Sequence, residues 1–176
     1  MNQQRIAILT DSGTDVPQAF SRTHDIRTLP LSIRFSEGDY LDGVTISPEE
    51  VYSRLPVEIP KTSLPAADTV RSTLADLQKE GYKTVFIITI SSALSGTYNL
   101  MRLCAADFPN LDCRLIDTRN IGIGAGFTVM RAAEMVRGGF GADRIEETLR
   151  GLVKTPRCFS AFRPLNTLQR AAVSAR

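Results

Sequence analysis

One histidine, three cysteines and no long apolar run set the first limits on what this chain of 176 residues does. With His24 as the only histidine, a histidine-rich metal site and any two-histidine mechanism are excluded. The cysteines, Cys104, Cys113 and Cys158, are odd in number, widely spaced and without a C-x-x-C pair. That usage fits buried thiols in a reducing compartment better than disulfides or a metal centre. The longest wholly apolar runs, such as Val85 to Ile88, are strand-sized, so no segment is expected to span a bilayer. Net charge is only +2 and no basic cluster stands out, which argues against nucleic acid or a membrane surface as partner. There is no G-K-[ST], hence no P-loop. No signal-peptide pattern precedes the first strand, and a cytoplasmic location is expected.

What is present is ordinary globular material, 43% apolar and 23% charged, enough for one well-buried domain and short for two. Strand and helix signals alternate. Ile6 to Leu9 reads as a buried strand stopped by Thr10-Asp11-Ser12-Gly13. Asp15 as N-cap and Pro17 in the first turn predict a helix to about Thr23. Arg27 to Phe35 is β-like, and Glu37-Gly38-Asp39 turns it back through Tyr40-Leu41 as a hairpin. Ser47-Pro48-Glu49-Glu50 carries a capping box. Pro56 and Pro60 break the chain, and Lys61 to Pro65 reads as a loop before a helix from about Ala67 to Glu80.

Thr84 to Ile90, apolar and β-branched without alternation, predicts a strand buried on both faces. A serine-rich turn and a helix to about Asp107 follow, then a strand at Cys113 to Ile116. The turn Gly122 to Gly126 leads to a helix closed by Gly138-Gly139. A last helix is expected from Asp143 to about Val153, a strand over 157–163 and a further helix from 165. The fold class is therefore α/β, with a mainly parallel sheet flanked by helices. In such sheets ligands bind beyond the carboxyl ends of the strands, where Asp11-Ser12-Gly13, Ser91 to Thr97 and Asp117 to Gly126 should lie.

Ser91 to Thr97 places four hydroxyls and Gly96 where a strand becomes a helix. A helix N-terminus carries free N–H donors and partial positive charge, so this turn reads either as a cap or as an anion site. Thr62-Ser63 alone reads as an N-cap. Asp11 and Asp117, each at a strand end, read as caps rather than cation ligands, since neither has a neighbouring carboxylate in sequence. Gly122-x-Gly124-x-Gly126 is not a dinucleotide fingerprint, because Phe127 stands where the third glycine belongs; tight packing explains it better. Ser95 lacks the G-x-S-x-G elbow, and His24 belongs to the opposite edge of the sheet, so a serine nucleophile is disfavoured.

Taken in order, several segments resemble the DegV family of fatty-acid-binding proteins. They are Leu9-Thr10-Asp11-Ser12 with Asp15, Leu29-Pro30-Leu31, Tyr40 with Asp42-Gly43, and Ser47-Pro48-Glu49-Glu50. Lys61-Thr62-Ser63-Leu64-Pro65, Ser91 to Tyr98 and Asp117 to Gly126 complete the set. The resemblance implies an amino-terminal lobe over residues 1–156 that holds a fatty-acid head group, and the start of a largely absent second lobe over 157–176. It implies that Thr62 and Ser95 bind the carboxylate of a long-chain fatty acid such as palmitate. Ser63, Ser92, Gly96, Thr97, Asp11 and Ser12 are expected to support them. It further implies a lipid carrier that presents acyl chains to a fatty acid kinase partner, is not itself an enzyme, and needs neither cofactor nor metal. The family's head-group histidine in the second lobe has no counterpart here, and Ala171-Ala172-Val173-Ser174 replaces the usual Gly-Gly-Arg-Ile-Ser. Two other readings stand beside it: an enzyme that uses the Ser91–Thr97 helix N-terminus for a phosphorylated or acylated substrate, and a ligand-free interaction module.

Overall fold

The computed structural model describes residues 2–154. The strand expected at 157–163, the helix expected from 165 and the whole 157–176 unit lie outside the described residues. The chain begins with β1 (Ile6–Asp11), a single 3-10 turn (Ser12–Thr14), α1 (Gln18–Thr23) and β2 (Ile26–Leu29). A small unit follows: β3 (Ser32–Phe35), β4 (Gly38–Leu41), α2 (Pro48–Arg54) and β5 (Lys61–Ser63). Then come α3 (Ala67–Lys79), β6 (Thr84–Thr89), α4 (Thr97–Ala105), β7 (Asp112–Asp117), α5 (Ile123–Arg137) and α6 (Ala142–Lys154).

The main sheet has the order β2-β1-β6-β7, and all of its pairs are parallel. The fold expectation is met, and the reason is visible along the two central strands. Side chains alternate between the faces of a strand, so both faces must be apolar when both are covered. Ala7, Leu9, Val85 and Ile87 pack with Val70 and Leu74 of α3 and Met101 and Cys104 of α4. Ile6, Ile8, Phe86 and Ile88 pack on the other face, with Val129 and Ala132 of α5 and Ile145 and Leu149 of α6. Val85 to Ile88 are all fully buried. Cys104 is a free, buried thiol in the first of these cores, as its apolar setting requires.

A second sheet, antiparallel, has the order β4-β3-β5. Here two expectations change. The β-like stretch from Arg27 to Phe35 is two strands in two sheets, divided at Pro30, which has no N–H to continue a ladder. Lys61 to Ser63 is a strand instead of a loop: Lys61, Thr62 and Ser63 pair with Arg34, Ile33 and Ser32. All three of its residues are exposed, so no hydrophobic pattern announces it. The hairpin of β3 and β4 and the capping box of Ser47 with Glu50 form as read.

Two further corrections concern turns. Asp15 does not cap α1. It sits at φ 49°, ψ 34°, closing the 3-10 turn, and Pro17 takes the N-cap position in extended backbone. Residues before proline avoid helical angles, which delays the helix to Gln18. The glycine turn is mostly helix: only Gly122, at φ 60°, precedes α5. Gly126 lies inside α5 because a Cβ there would stand 2.5 Å from the Thr14 carbonyl oxygen. Tight packing of α5 on the turn after β1 thus explains the glycine pattern.

The strand order reverses between β1 and β6. β1 leads to β2 on one side and β6 to β7 on the other, so the two strand ends diverge and leave a crevice between them. The ladder between these strands ends at the Thr10–Ile88 pair. Beyond it the Ile90 amide donates to Asp11 Oδ2 at 3.1 Å, so a side chain continues what the ladder cannot. This is not the cap read for Asp11, and the side chain makes no capping bond to the 3-10 turn. Asp11 is fully buried, and its Oδ1 has no partner among the described residues. Burial drives its carboxyl up to about 6, partly offset by the bond from the Ile90 amide.

Two predictions follow from this packing. Gly126→Ala should destabilise the chain by about 1–3 kcal/mol through overpacking. Gly151→Ala, in α6 with open space around it, should stabilise it by about 0.5–1 kcal/mol; urea unfolding of both variants checks the contrast. For Asp11, the folded chain keeps a proton that the unfolded chain has released, between its ordinary 3.8 and about 6. Stability therefore falls as pH rises through that window and stays lower above it. Asp11→Asn keeps an acceptor for Ile90 and carries no charge. It should flatten the fall and raise stability at pH 8 by up to about 3 kcal/mol, measured as unfolding midpoints from pH 4 to pH 8.

Candidate functional site

The carboxyl edge of the main sheet carries a cleft of about 580 Å³ at the reversal between β1 and β6. The turn after β1 contributes Gly13 and Asp15 to it, and the turn after β6 contributes Ile90, Leu94, Ser95 and Gly96. The opposite wall is β5 with its continuation: Thr62, Ser63 and Leu64. The small antiparallel sheet is inserted after β2, at the same edge, and that insertion brings β5 across from the serine turn.

Thr62, Ser63, Ser95 and Gly96 are therefore brought together on one cleft, although more than thirty positions separate the pairs in sequence. Thr62 is exposed and Ser95 half-buried. Ser95 Oγ accepts from the Thr97 amide at 3.2 Å and lies 2.8 Å from Thr97 Oγ1. When Thr97 also donates, Ser95 accepts two bonds and its own proton is directed to a ligand oxygen. Gly96 has ordinary helical angles, φ −73° and ψ 0°, so its backbone does not demand glycine. Its open side faces Leu64, whose methyl carbons lie 3.5 and 3.6 Å from where a Cβ would be. A side chain there would narrow the cleft.

The other expected residues stand behind or away from this cleft. Thr97 is fully buried and holds Ser95 from within. Ser12 donates to Asp42 Oδ2 at 2.7 Å and accepts from the Leu31 amide at 3.0 Å, tying the β1 turn to the small sheet. Asp11 lies beneath Gly13: a Cβ on Gly13 would be 3.1 Å from Asp11 Oδ1 and equally close to Leu31. Ser92 is turned away. Its hydroxyl donates to Asp117 Oδ2 at 2.5 Å and its amide to Asp117 Oδ1 at 3.1 Å. Asp117 thus caps this turn and its own, taking the Arg119 amide as well at 3.0 Å. Burial alone would raise the Asp117 carboxyl, but these bonds overcome it and hold the group below the usual range.

Asp15 and the apolar wall were not foreseen. Asp15 has the pattern of a helix cap in sequence and only the fold turns it to the cleft. Its carboxyl is raised from its ordinary value, first by burial and then by the charge of Asp42. Leu31, Leu64, Ile90, Leu94 and Ile121 give the cleft a mainly apolar lining. Leu64, Leu94 and Ile121 remain exposed at its rim, with Ile123 and Phe127 close by in sequence on α5. His24 ends α1 at the opposite edge of the sheet and stacks on Phe20 with ring centres 3.9 Å apart, so it takes no part in the cleft. Among the described residues, no group of three His, Cys, Asp or Glu side chains is arranged to hold a metal ion. Nor is any helix among them long and apolar enough to cross a membrane.

These features agree with the relatives of the chain. The family described as uncharacterised protein, DegV family, matches residues 5–172. A DegV domain-containing protein of Clostridium acetobutylicum is 40% identical over 146 residues, 83% of this chain and 52% of that protein. Among solved structures, DegV of Bacillus subtilis, described as a fatty acid binding protein, superposes with a TM-score of 0.80 at 28% identity over 88% of this chain and 55% of its own. A stearic acid-binding protein of Eubacterium ventriosum does so with a TM-score of 0.77 at 27% identity, covering 82% of this chain and 52% of its own. The chain spans about half the length of the relatives it matches. With a family match running almost end to end, and with the parallel sheet and its flanking helices in place, the chain belongs to the DegV family.

Proposed function

We propose that this chain binds a long-chain fatty acid by its carboxyl group, with Thr62 and Ser95 as the head-group ligands. The observation that carries the reading is their convergence: one hydroxyl from β5 and one from the turn after β6 face one cleft whose remaining walls are mainly apolar. Hydroxyls that bond a carboxyl fix its orientation. The apolar lining then receives the chain that follows. A tail of roughly fifteen methylenes offers about 0.8 kcal/mol each when buried, about 12 kcal/mol gross. Each hydrogen bond from the head offers only about 1.5–3 kcal/mol before desolvation. The tail therefore supplies affinity, and the head site supplies register.

The role follows from the same arrangement. The head group lies at an exposed edge, where a partner protein can reach it. Presentation of the acyl chain to a fatty acid kinase partner fits that placement, as does lipid transport. The chain itself is proposed as a carrier without catalysis or cofactor: among the described residues Ser95 is bonded to Thr97 and to no basic side chain. A phosphate-binding enzyme is the weaker reading. The only charged side chain lining the cleft among the described residues is that of Asp15, which repels a phosphate.

Solvent extraction of the purified chain followed by mass spectrometry should yield a long-chain fatty acid. Thr62→Ala and Ser95→Ala should each reduce the retained lipid about ten-fold, the loss of one charge-assisted bond. Unchanged lipid in both variants would sink the site assignment.

A further inference from the structure

Residues 31–64 supply Leu31, Thr62, Ser63 and Leu64 to the cleft, and the unit built on the parallel sheet supplies the rest. Thr62 and Ser95 thus sit on separate units, and their separation depends on how those units are joined. Among the described residues, every hydrogen bond between the two units runs through one atom, Ser12 Oγ. It accepts from the Leu31 amide at 3.0 Å. An amide can only donate, so the single hydroxyl proton is left for Asp42 Oδ2, at 2.7 Å. The Asp42 amide in turn donates to the Leu31 carbonyl at 3.0 Å. Both backbone groups of Leu31 are therefore held, one by each partner, and the three residues close a ring. Gly43, at φ 68°, turns the chain sharply after Asp42, and its amide donates to the Ile46 carbonyl at 3.0 Å.

The ring stands at the root of the strand that carries Thr62. Ser32 follows Leu31 and pairs with Ser63, and Ile33 pairs with Thr62. Two residues of strand, about 7 Å, separate the fixed point from the rung that holds Thr62. On the other side, Ser12 precedes Gly13, whose carbonyl accepts from the Gly122 amide at 2.8 Å, so the turn that carries Ser12 is itself tied down.

We propose, on the basis of the fatty acid reading above, that Ser12 is the positioning residue of the head-group site. With Asp42 it seats the small sheet against the β1 turn and so sets the separation of Thr62 from Ser95. Ser12 does not itself line the cleft and acts through β3 and β5. Without its hydroxyl, no hydrogen bond among the described residues joins the two units. The chain crossings at Pro30 and Pro65 and apolar packing are then what hold them. A carboxyl group bonds both hydroxyls only where each stands within about 3 Å of its oxygens. A small shift of β5 therefore forfeits the Thr62 bond although Thr62 is unaltered.

The test measures the affinity of the chain for a medium-chain fatty acid, below its micelle-forming concentration, in a double-mutant cycle of Ser12→Ala and Thr62→Ala. Each single variant should lose about ten-fold, the loss of one bond to a charged group. The double variant should lose no more than Thr62→Ala alone, because Ser12 acts through that hydroxyl. Asp42→Ala, which removes only the acceptor, should lose the same factor as Ser12→Ala. Ser12→Thr, which keeps the hydroxyl, and Asp42→Asn, which keeps an acceptor for it, should restore binding. Amide hydrogen exchange in Ser12→Ala should quicken in β3 and β5 and stay unchanged in β6. Full affinity in both Ser12→Ala and Asp42→Ala would overturn the role. So would equal losses from Ser12→Ala with and without the Thr62 hydroxyl, the mark of a merely structural change. Either result leaves the fatty acid reading intact, since that stands on Thr62→Ala and Ser95→Ala. No affinity of the unaltered chain for the acid would overturn both.

Discussion

The bond between the Ile90 amide and the Asp11 carboxyl, at 3.1 Å, joins the two strand ends between which the candidate site is arranged. Parallel pairing of β1 and β6 has run out one step earlier. Without an acceptor at that point, the chain leaving β6 would carry an orphan amide at the top of a buried core. Asp11 supplies the acceptor, and in doing so places Ile90 and the serine turn after it. Its second oxygen is buried without a partner among the described residues, close to Gly13. A carboxyl group in that position is costly, as its upward shift to about 6 shows. A neutral acceptor would hold the turn at lower cost. Retaining an ionisable group there, under the candidate cleft, is the kind of local conflict that functional sites often show.

The molecule divides its labour between two sheets. The parallel sheet is rigid because both faces of its central strands are buried, and it presents one helix N-terminus and two turns at its carboxyl edge. The small antiparallel sheet is mostly exposed and gives only an edge strand, β5, to the cleft. Ser12 and Asp42 connect the two units close to the cleft floor. The site thus combines a fixed half with a half held by few contacts, and its apolar lining sits where they meet. Exposed leucine and isoleucine side chains at the rim are consistent with a surface that longer relatives extend.

Asp15 shows how position changes meaning. In sequence it is a polar residue two places before a proline, with a cap's ordinary pattern. In the fold, Pro17 holds extended backbone and α1 starts late, so the aspartate closes a 3-10 turn and faces the cleft instead. Lys61 to Ser63 changed in the same way. Three polar residues between prolines carry no strand signal, yet they pair with β3 because the hairpin leaves that edge open. Gly126 needed no reinterpretation: its packing against Thr14 is what a glycine inside a helix most often means.

The main sheet, its parallel sense and its central strand were legible in the sequence, because an unbroken apolar run such as Val85 to Ile88 has only one stable environment, between two covered faces. The motifs around Thr62 and Ser95 were legible too, as segments that resemble a family. What only the tertiary structure decided is which hydroxyls share a cleft. Ser92 and Ser95 are near neighbours in one turn, yet Asp117 holds the first away and Thr97 holds the second toward the opening. Those partners are remote or buried, and local sequence carries no record of direction. The same holds for the charge of the cleft: Asp11, Asp15 and Asp42 are unremarkable one by one. They become neighbours, with Asp15 alone lining the cleft, only when β1, its turn and the small sheet meet at the place where the strand order reverses.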